Sequence, residues 1–237
     1  MLSRMTEPAG LRERKKARVR ETIAATAIRM FLESGFDQVS ITDIAREADV
    51  ARRTLFAYFP AKEDLVLQRF ADHEDEAARI VRARRPGQPP LDALREALLD
   101  RLRQRDPGTG LNDDPEIIAF LQLISGTESL AARLTRYTAR GIDALAEALR
   151  ESGFDPLTAR LTAAQVIVVE RELAFMNHEC LVNGESAADR YPEAVRAIDH
   201  AFDLLRDGLG IPLEVTKKSW ESSVPSNKRQ SHRPASG

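Results

Sequence analysis

The stretch Ser40–Glu63, SITDIAREADVARRTLFAYFPAKE, decides the fold. Ser40 reads as a helix N-cap, because its hydroxyl can accept a first-turn backbone N–H and Asp43 stands three residues on, where a capping box places its acid. Ile41, Ile44 and Ala48 share one face of the short helix that follows. Asp49 and Val50 make a turn, and aspartate tolerates left-handed backbone better than most residues. A second short helix runs from about Ala51 to Phe59, since Pro60 bars its predecessor from helical geometry.

Two short helices joined by a tight turn can present the second to the DNA major groove, which admits an α-helix and carries the base-edge code. Arg52 and Arg53 stand at the start of that helix; an arginine there can donate two hydrogen bonds to guanine O6 and N7, and Thr54 can bond or touch a thymine methyl group. Leu55 and Phe59, four apart, pack inward on Ile44 and Phe31. Tyr58 is expected on the exposed side with its hydroxyl toward a phosphate, and Lys62 at the next helix start, where free backbone N–H groups favour the same anion. The alternatives are solvated surface charge for the arginines and a half-buried core position for Tyr58.

Outward from this block nearly every segment has apolar residues recurring at three and four, so the fold class is all-α. Upstream, Val19, Ile23, Ala27, Met30 and Phe31 form one stripe, stopped by Gly35. Downstream the pattern predicts a long linking helix over 61–84, then helices over 91–104, from Pro115, over 130–151, over 157–181 and over 191–209. The 157–181 segment is apolar on all sides through Ala163, Ala164, Val166, Ile167, Val168 and Val169, so it must bury more than one face. Together with the amphipathic 191–209 helix it offers a self-complementary surface for a homodimer, or else a larger monomer core. The division expected is a flexible basic arm over 1–17, a helix-turn-helix domain over 18–62, a helical body over 63–210 and an unstructured tail over 211–237.

Charge follows that division. Residues 1–62 hold 12 Lys/Arg against 8 Asp/Glu, residues 63–210 hold 18 against 27, and the rest 5 against 2, so a basic head sits on an acidic body. Only the head suits a polyanion. Arg12, Arg14, Lys15, Lys16, Arg18 and Arg20 could follow phosphates or the minor groove, or simply solvate a helix start. No apolar stretch is long enough to span a membrane, no signal region follows the charged N-terminus, and the single cysteine, Cys180, fits a reducing cytoplasm.

From Arg18 to Leu65, in FLESGFDQVSITDIA followed by ADVARRTLFAYFPAKEDLV, the sequence resembles the N-terminal region of tetracycline-repressor-like (TetR family) regulators. The resemblance covers about 50 residues and implies DNA-facing positions at Thr42, Arg52, Arg53, Thr54, Ala57 and Tyr58, with Lys62 at a phosphate. Three residues depart from the pattern: Asp49 replaces a glycine of the turn, Ala51 replaces a serine cap typically worth about 1 kcal/mol, and Phe56 replaces a tyrosine that commonly meets phosphate.

The same resemblance implies a double-stranded DNA operator, a small-molecule effector held by the body, and a repressor released when the effector changes the separation of two heads. Candidate pocket walls are Phe120, Leu123, Ile124, Thr127, Tyr137, Arg140, Gly141, Val169, Leu173, Met176 and Asn177, with Arg140 placed to favour an anion. Packing is the competing use of each, and a surface ion pair that of Arg140. No cofactor or metal is expected: His178, Glu179 and Cys180 point in different directions around a helix, and His73, His200 and His232 are isolated. The other function classes are an enzyme, which would have to use His178 or Glu172 without any phosphate loop or serine elbow, and an interaction module that has lost DNA binding.

Overall fold

A computed structural model describes residues 9–208. Among them are ten α-helices and one 3-10 turn: α1 (Ala9–Ser34), α2 (Ile41–Glu47), α3 (Arg52–Tyr58), α4 (Lys62–His73), α5 (Glu76–Ala83), α6 (Pro90–Arg103), the 3-10 turn Pro107–Thr109, α7 (Pro115–Gly126), α8 (Glu128–Glu151), α9 (Pro156–Val182) and α10 (Ala187–Asp207). The chain is all-α, as the periodicity requires.

The helix starts are written locally. Ser40 Oγ accepts from the Asp43 N–H at 3.1 Å and gives its own proton to the Asp43 carboxylate at 2.5 Å. Asp114, Asp155 and Ser186 likewise accept first-turn N–H groups of α7, α9 and α10, and Pro90, Pro115 and Pro156 stand in first turns, where a missing N–H loses nothing. Ala51, by contrast, makes no side-chain cap for α3.

Three segments differ from the sequence-based expectation. The expected single helix over 61–84 is two, broken at Glu74 and Asp75. Neither glycine nor proline is responsible. Neighbouring acids are drawn apart by different cations: Glu74 to Arg140 of α8 at 3.3 Å, Asp75 to Arg79 at 3.0 Å, and Glu76 to Arg101 of α6 at 3.4 Å. At the break the Glu74 carbonyl lies 3.1 Å from where a Cβ on Gly141 would stand, so α8 approaches closely there. The expected arm over 1–17 is helical from Ala9, which extends α1; the rest of the arm and the tail over 211–237 lie outside the described residues. Finally, α10 begins before Pro192 because Ser186 caps it and the proline forfeits one N–H.

Two apolar cores result. One unites Ile23, Phe31, Ile44, Leu55, Phe59 and Leu65 of the head with Phe120 and Ile124 of α7 and Leu130 of α8. The other joins α5, α6, α8, α9 and α10 through Leu94, Leu98, Leu102, Leu145, Leu149, Val166, Ile198 and Phe202. The head therefore has no core closed at Lys62; α7 and α8, which meet at 93°, supply part of it.

Candidate nucleic-acid interface

The turn between α2 and α3 is made as the residues demand, with Asp49 at φ 51° and Val50 N–H returning to the Ala45 carbonyl at 2.9 Å. Leu55 and Phe59 are fully buried, which fixes the rotation of α3 about its axis. Arg52, Arg53 and Ala57 are thereby exposed, Thr54 is half-buried, and Thr42 is exposed on the preceding helix. Arg52 lies over the Phe56 ring at 5.5 Å, one turn along, so the phenyl group that replaces a tyrosine holds the arginine.

Two side chains do not stand as expected. Tyr58 is half-buried and packed against the head core, the core alternative rather than a freely projecting phenol. Lys62 turns inward: its ammonium donates to the Phe36 carbonyl and lies 4.3 Å from the Phe36 ring centre and 5.4 Å from that of Phe31. Burial pushes its pKa down, against the pull of Asp37 and Glu63. Lys62 thus ties the α1–α2 connection to α4. Of the basic segment, Arg14, Lys15, Lys16 and Arg18 are exposed along α1, whereas Arg20 lies over the Phe59 ring at 5.7 Å.

Behind the head stands a clamp that no sequence pattern announced. Asp64, in the first turn of α4, accepts from Arg133 of α8 through both oxygens at 2.6 and 2.7 Å, from Tyr137 at 3.1 Å and from the Ala61 N–H at 3.1 Å. Burial alone would raise the Asp64 pKa, but the hydrogen bonds from Arg133 and Tyr137 and the arginine charge outweigh it and hold the carboxylate lowered. The helix leaving the helix-turn-helix head is in this way fixed to the body by a two-pronged ion pair.

The eleven pocket candidates scatter. Phe120 and Ile124 are buried in the core shared with the head, and Leu123 and Tyr137 pack against it. Leu173 packs on the body core, Val169 is half-buried and Thr127 precedes α8. Gly141 admits the Glu74 carbonyl, and Arg140 is exposed, paired with Glu74 and lying over Tyr137 at 5.4 Å. Met176 is 51% exposed on α9. Asn177 is buried and donates to the Thr109 carbonyl at 3.0 Å, where Gly110, at φ 68°, packs so closely on Ala174 that no larger residue fits.

One of the eleven, Ile124, lines a cavity of about 170 Å³ between the α7–α8 corner and α9, walled also by Ser125, Ala131, Leu134, Thr135, Arg171, Glu172 and Phe175. A second, of about 320 Å³, lies at the far end of the body between Pro89, Leu91, Leu149, Phe154, Thr162 and Arg206. Inside the body Arg101 is held by Glu76 and Asp106, and burial raises the nearby Glu170 carboxyl to about 7, with Arg101 opposing and Glu76 adding to the rise. Among the described residues no three His, Cys, Asp or Glu side chains are placed to share a metal ion, and no single helix is long and apolar enough to cross a membrane.

The second helix of the helix-turn-helix shows two cations to solvent and is mounted on a helical body, the arrangement of a DNA-binding fold. Residues 23–68 match the family described as bacterial regulatory proteins, tetR family. The chain is 30% identical over 128 residues to the HTH-type transcriptional regulator TcmR of Streptomyces glaucescens, a match spanning 54% of this chain and 57% of TcmR. To MftR, a transcriptional regulator of Mycobacterium tuberculosis, it is 26% identical over 205 residues, 83% of this chain and 93% of MftR. Among solved structures, native NalD, the secondary repressor of the MexAB-OprM multidrug efflux pump in Pseudomonas aeruginosa, shares the fold with a TM-score of 0.53 at 16% identity, covering 78% of this chain and 97% of NalD. Residues 23–68 are thus similar to the DNA-binding segment of the tetR family, and the match to TcmR spans little more than half the length of that relative.

Proposed function

We propose that this chain is a cytoplasmic homodimeric repressor that binds a roughly palindromic operator and is released by a small-molecule effector. The observation that carries the reading is the exposed start of α3, where Arg52 and Arg53 project from a helix whose opposite face is locked by Leu55 and Phe59. Two such helices related by a twofold axis reach successive major grooves one helical turn apart, roughly 34–36 Å. The protein acts by occupancy and not by turnover.

The route from effector to DNA is the clamp at Asp64. Half-site spacing is fixed by the duplex, so any shift of α8 that drags α4 through Arg133 moves the head off its groove. Effector and operator then weaken each other by one coupling free energy. Selection of bound duplexes from a random pool, followed by challenge of the complex with a metabolite library, tests the reading. An enriched twofold-symmetric sequence displaced by a metabolite is the expected result; a pool with no enrichment would leave an interaction module in its place.

A further inference from the structure

Of the four phenylalanines in residues 18–62, Phe31, Phe36 and Phe59 are buried, whereas Phe56 is 40% exposed. It is no part of the head core and stands on the outer face of α3 with Arg52, Arg53 and Ala57. Leu55 and Phe59 already hold the helix in place, so the ring serves whatever meets that face. The flanking cations Arg52 and Arg53 select a polyanion as the occupant.

Against DNA, a phenyl ring differs from the tyrosine it replaces in one decisive respect. Without a hydroxyl it cannot donate to a phosphate oxygen, and covering a charged oxygen with hydrocarbon is unfavourable. The base edges offer an alternative. In the major groove guanine, cytosine and adenine present hydrogen-bonding groups, and thymine alone adds a methyl group that a phenyl ring can cover.

Geometry limits where that methyl group stands. The Arg52 guanidinium lies over the Phe56 ring, with Cζ 5.5 Å from the ring centre. The two residues are four apart, a rise of about 6 Å along the axis, so they share one strip of α3. An arginine that donates both hydrogen bonds to guanine O6 and N7 lies close to the plane of that base, because its fork of donors is planar. A ring on the face of that guanidinium is displaced toward the next base pair, about 3.4 Å away in the stack. Cation and ring therefore reach adjoining base pairs.

We infer that Phe56 is a base-reading residue: it covers the C5-methyl of a thymine in the base pair next to the guanine held by Arg52, and its ring keeps the Arg52 guanidinium in place. This rests on the operator binding of the proposed function and adds to it a two-base-pair step read by two residues as a unit.

The test begins with duplexes selected from a random unmodified pool. The guanine of Arg52 is located by 7-deazaguanine, which removes N7 and should cost wild type affinity but not Arg52→Ala. Thymine is expected beside that guanine in each half-site. Deoxyuridine in its place removes only the methyl group, and should weaken wild type about fourfold per half-site and about fifteenfold with both replaced. Phe56→Ala removes an exposed ring and leaves the head core intact; it should bind the selected operator more weakly and lose less than about twofold on the same replacement. The comparison is made at a salt concentration low enough to hold both proteins on the duplex. Uracil that costs wild type nothing, or costs Phe56→Ala as much as wild type, overturns the thymine contact, as does an operator without thymine beside such a guanine. A pool with no enrichment removes the proposed function and this inference with it. An enriched twofold operator without coupling between Phe56 and the methyl group removes this inference alone.

Discussion

The head and α9 each expose a set of side chains, and the two sets have opposite chemistry. At the start of α3 the exposed side chains are Arg52 and Arg53, cations backed by a helix rotation that buried Leu55 and Phe59 hold fixed. Along α9 they are Leu157, Leu161, Val168 and Phe175, hydrocarbon in a row one helical edge wide. A charged face remains soluble without its partner and binds reversibly, with an affinity that salt tunes. An apolar face is driven to cover by burial, and little by salt. Under the proposed function, the contrast makes DNA contact the salt-dependent association and self-association the salt-independent one.

The largest expected effect breaks the apolar side of that comparison. Fully burying a valine or leucine is worth roughly 1.5–3 kcal/mol; Val168 is 38% exposed, counts twice in a twofold dimer, and as glutamate would also put a charge into the apolar row of each copy, so Val168→Glu should weaken the dimer by about a hundredfold in sedimentation. Salt should restore little of it. A variant that dimerises like wild type would show the row to be bare surface.

Next in size is the clamp joining the two regions. Arg133→Ala leaves the Asp64 carboxylate buried with one charged partner missing, which should lower stability by about 2–4 kcal/mol in urea melts, toward the lower figure because Arg133 is partly exposed. The pH sign follows from the lowered Asp64 pKa: its contribution is present above the unfolded value near 3.8 and is lost as pH falls through the folded one. Arg133→Ala should therefore flatten the acid limb of stability, and an unchanged acid limb would place the lowered pKa elsewhere.

The cationic side is sharpened by two variants. Arg52→Ala should lose about 1–3 kcal/mol on the selected operator and relax base preference, and equal losses on random duplex would remove its base-reading role. Lys62→Ala should leave the salt slope unchanged and lower the melting temperature instead, because its ammonium is engaged by the Phe36 carbonyl. A reduced slope would restore it to the phosphate contact implied by the family resemblance.

The smallest effect concerns the body interior. Glu170 has its pKa raised to about 7, so the stability it contributes is complete below its ordinary value of 4.5 and declines as pH rises through about 7. Glu170→Gln should raise stability at pH 8, by on the order of 1 kcal/mol, with no gain at pH 4. Equal gains at both pH values would assign the effect to packing.

Much of the head could be read without coordinates because its determinants are local. The Ser40 cap, the Asp49 turn and the stop before Pro60 each involve residues within a few positions of one another, and the four-residue interval from Leu55 to Phe59 sets the exposed face of α3. Tyr58 and Lys62 were less legible, since both turn toward partners that only the packed head supplies, such as Phe36 twenty-six residues away. The apolar row on α9 carried a sequence signal in the interval of seven between Leu161, Val168 and Phe175. That signal was hidden by Val166, Ile167 and Val169, which make the helix apolar on every side.

What the sequence determined by itself was the all-helical class, the helix-turn-helix and the exposed face of its second helix, because helix periodicity, capping and turn chemistry act over a few residues. What only the tertiary structure decided was the partner of each distant charge: Asp64 with Arg133 and Glu76 with Arg101. It also decided that Phe120 and Ile124 belong to the core shared with the head. Those pairings depend on how whole helices cross, and a crossing is fixed by the sum of many side-chain contacts that no short stretch of sequence contains.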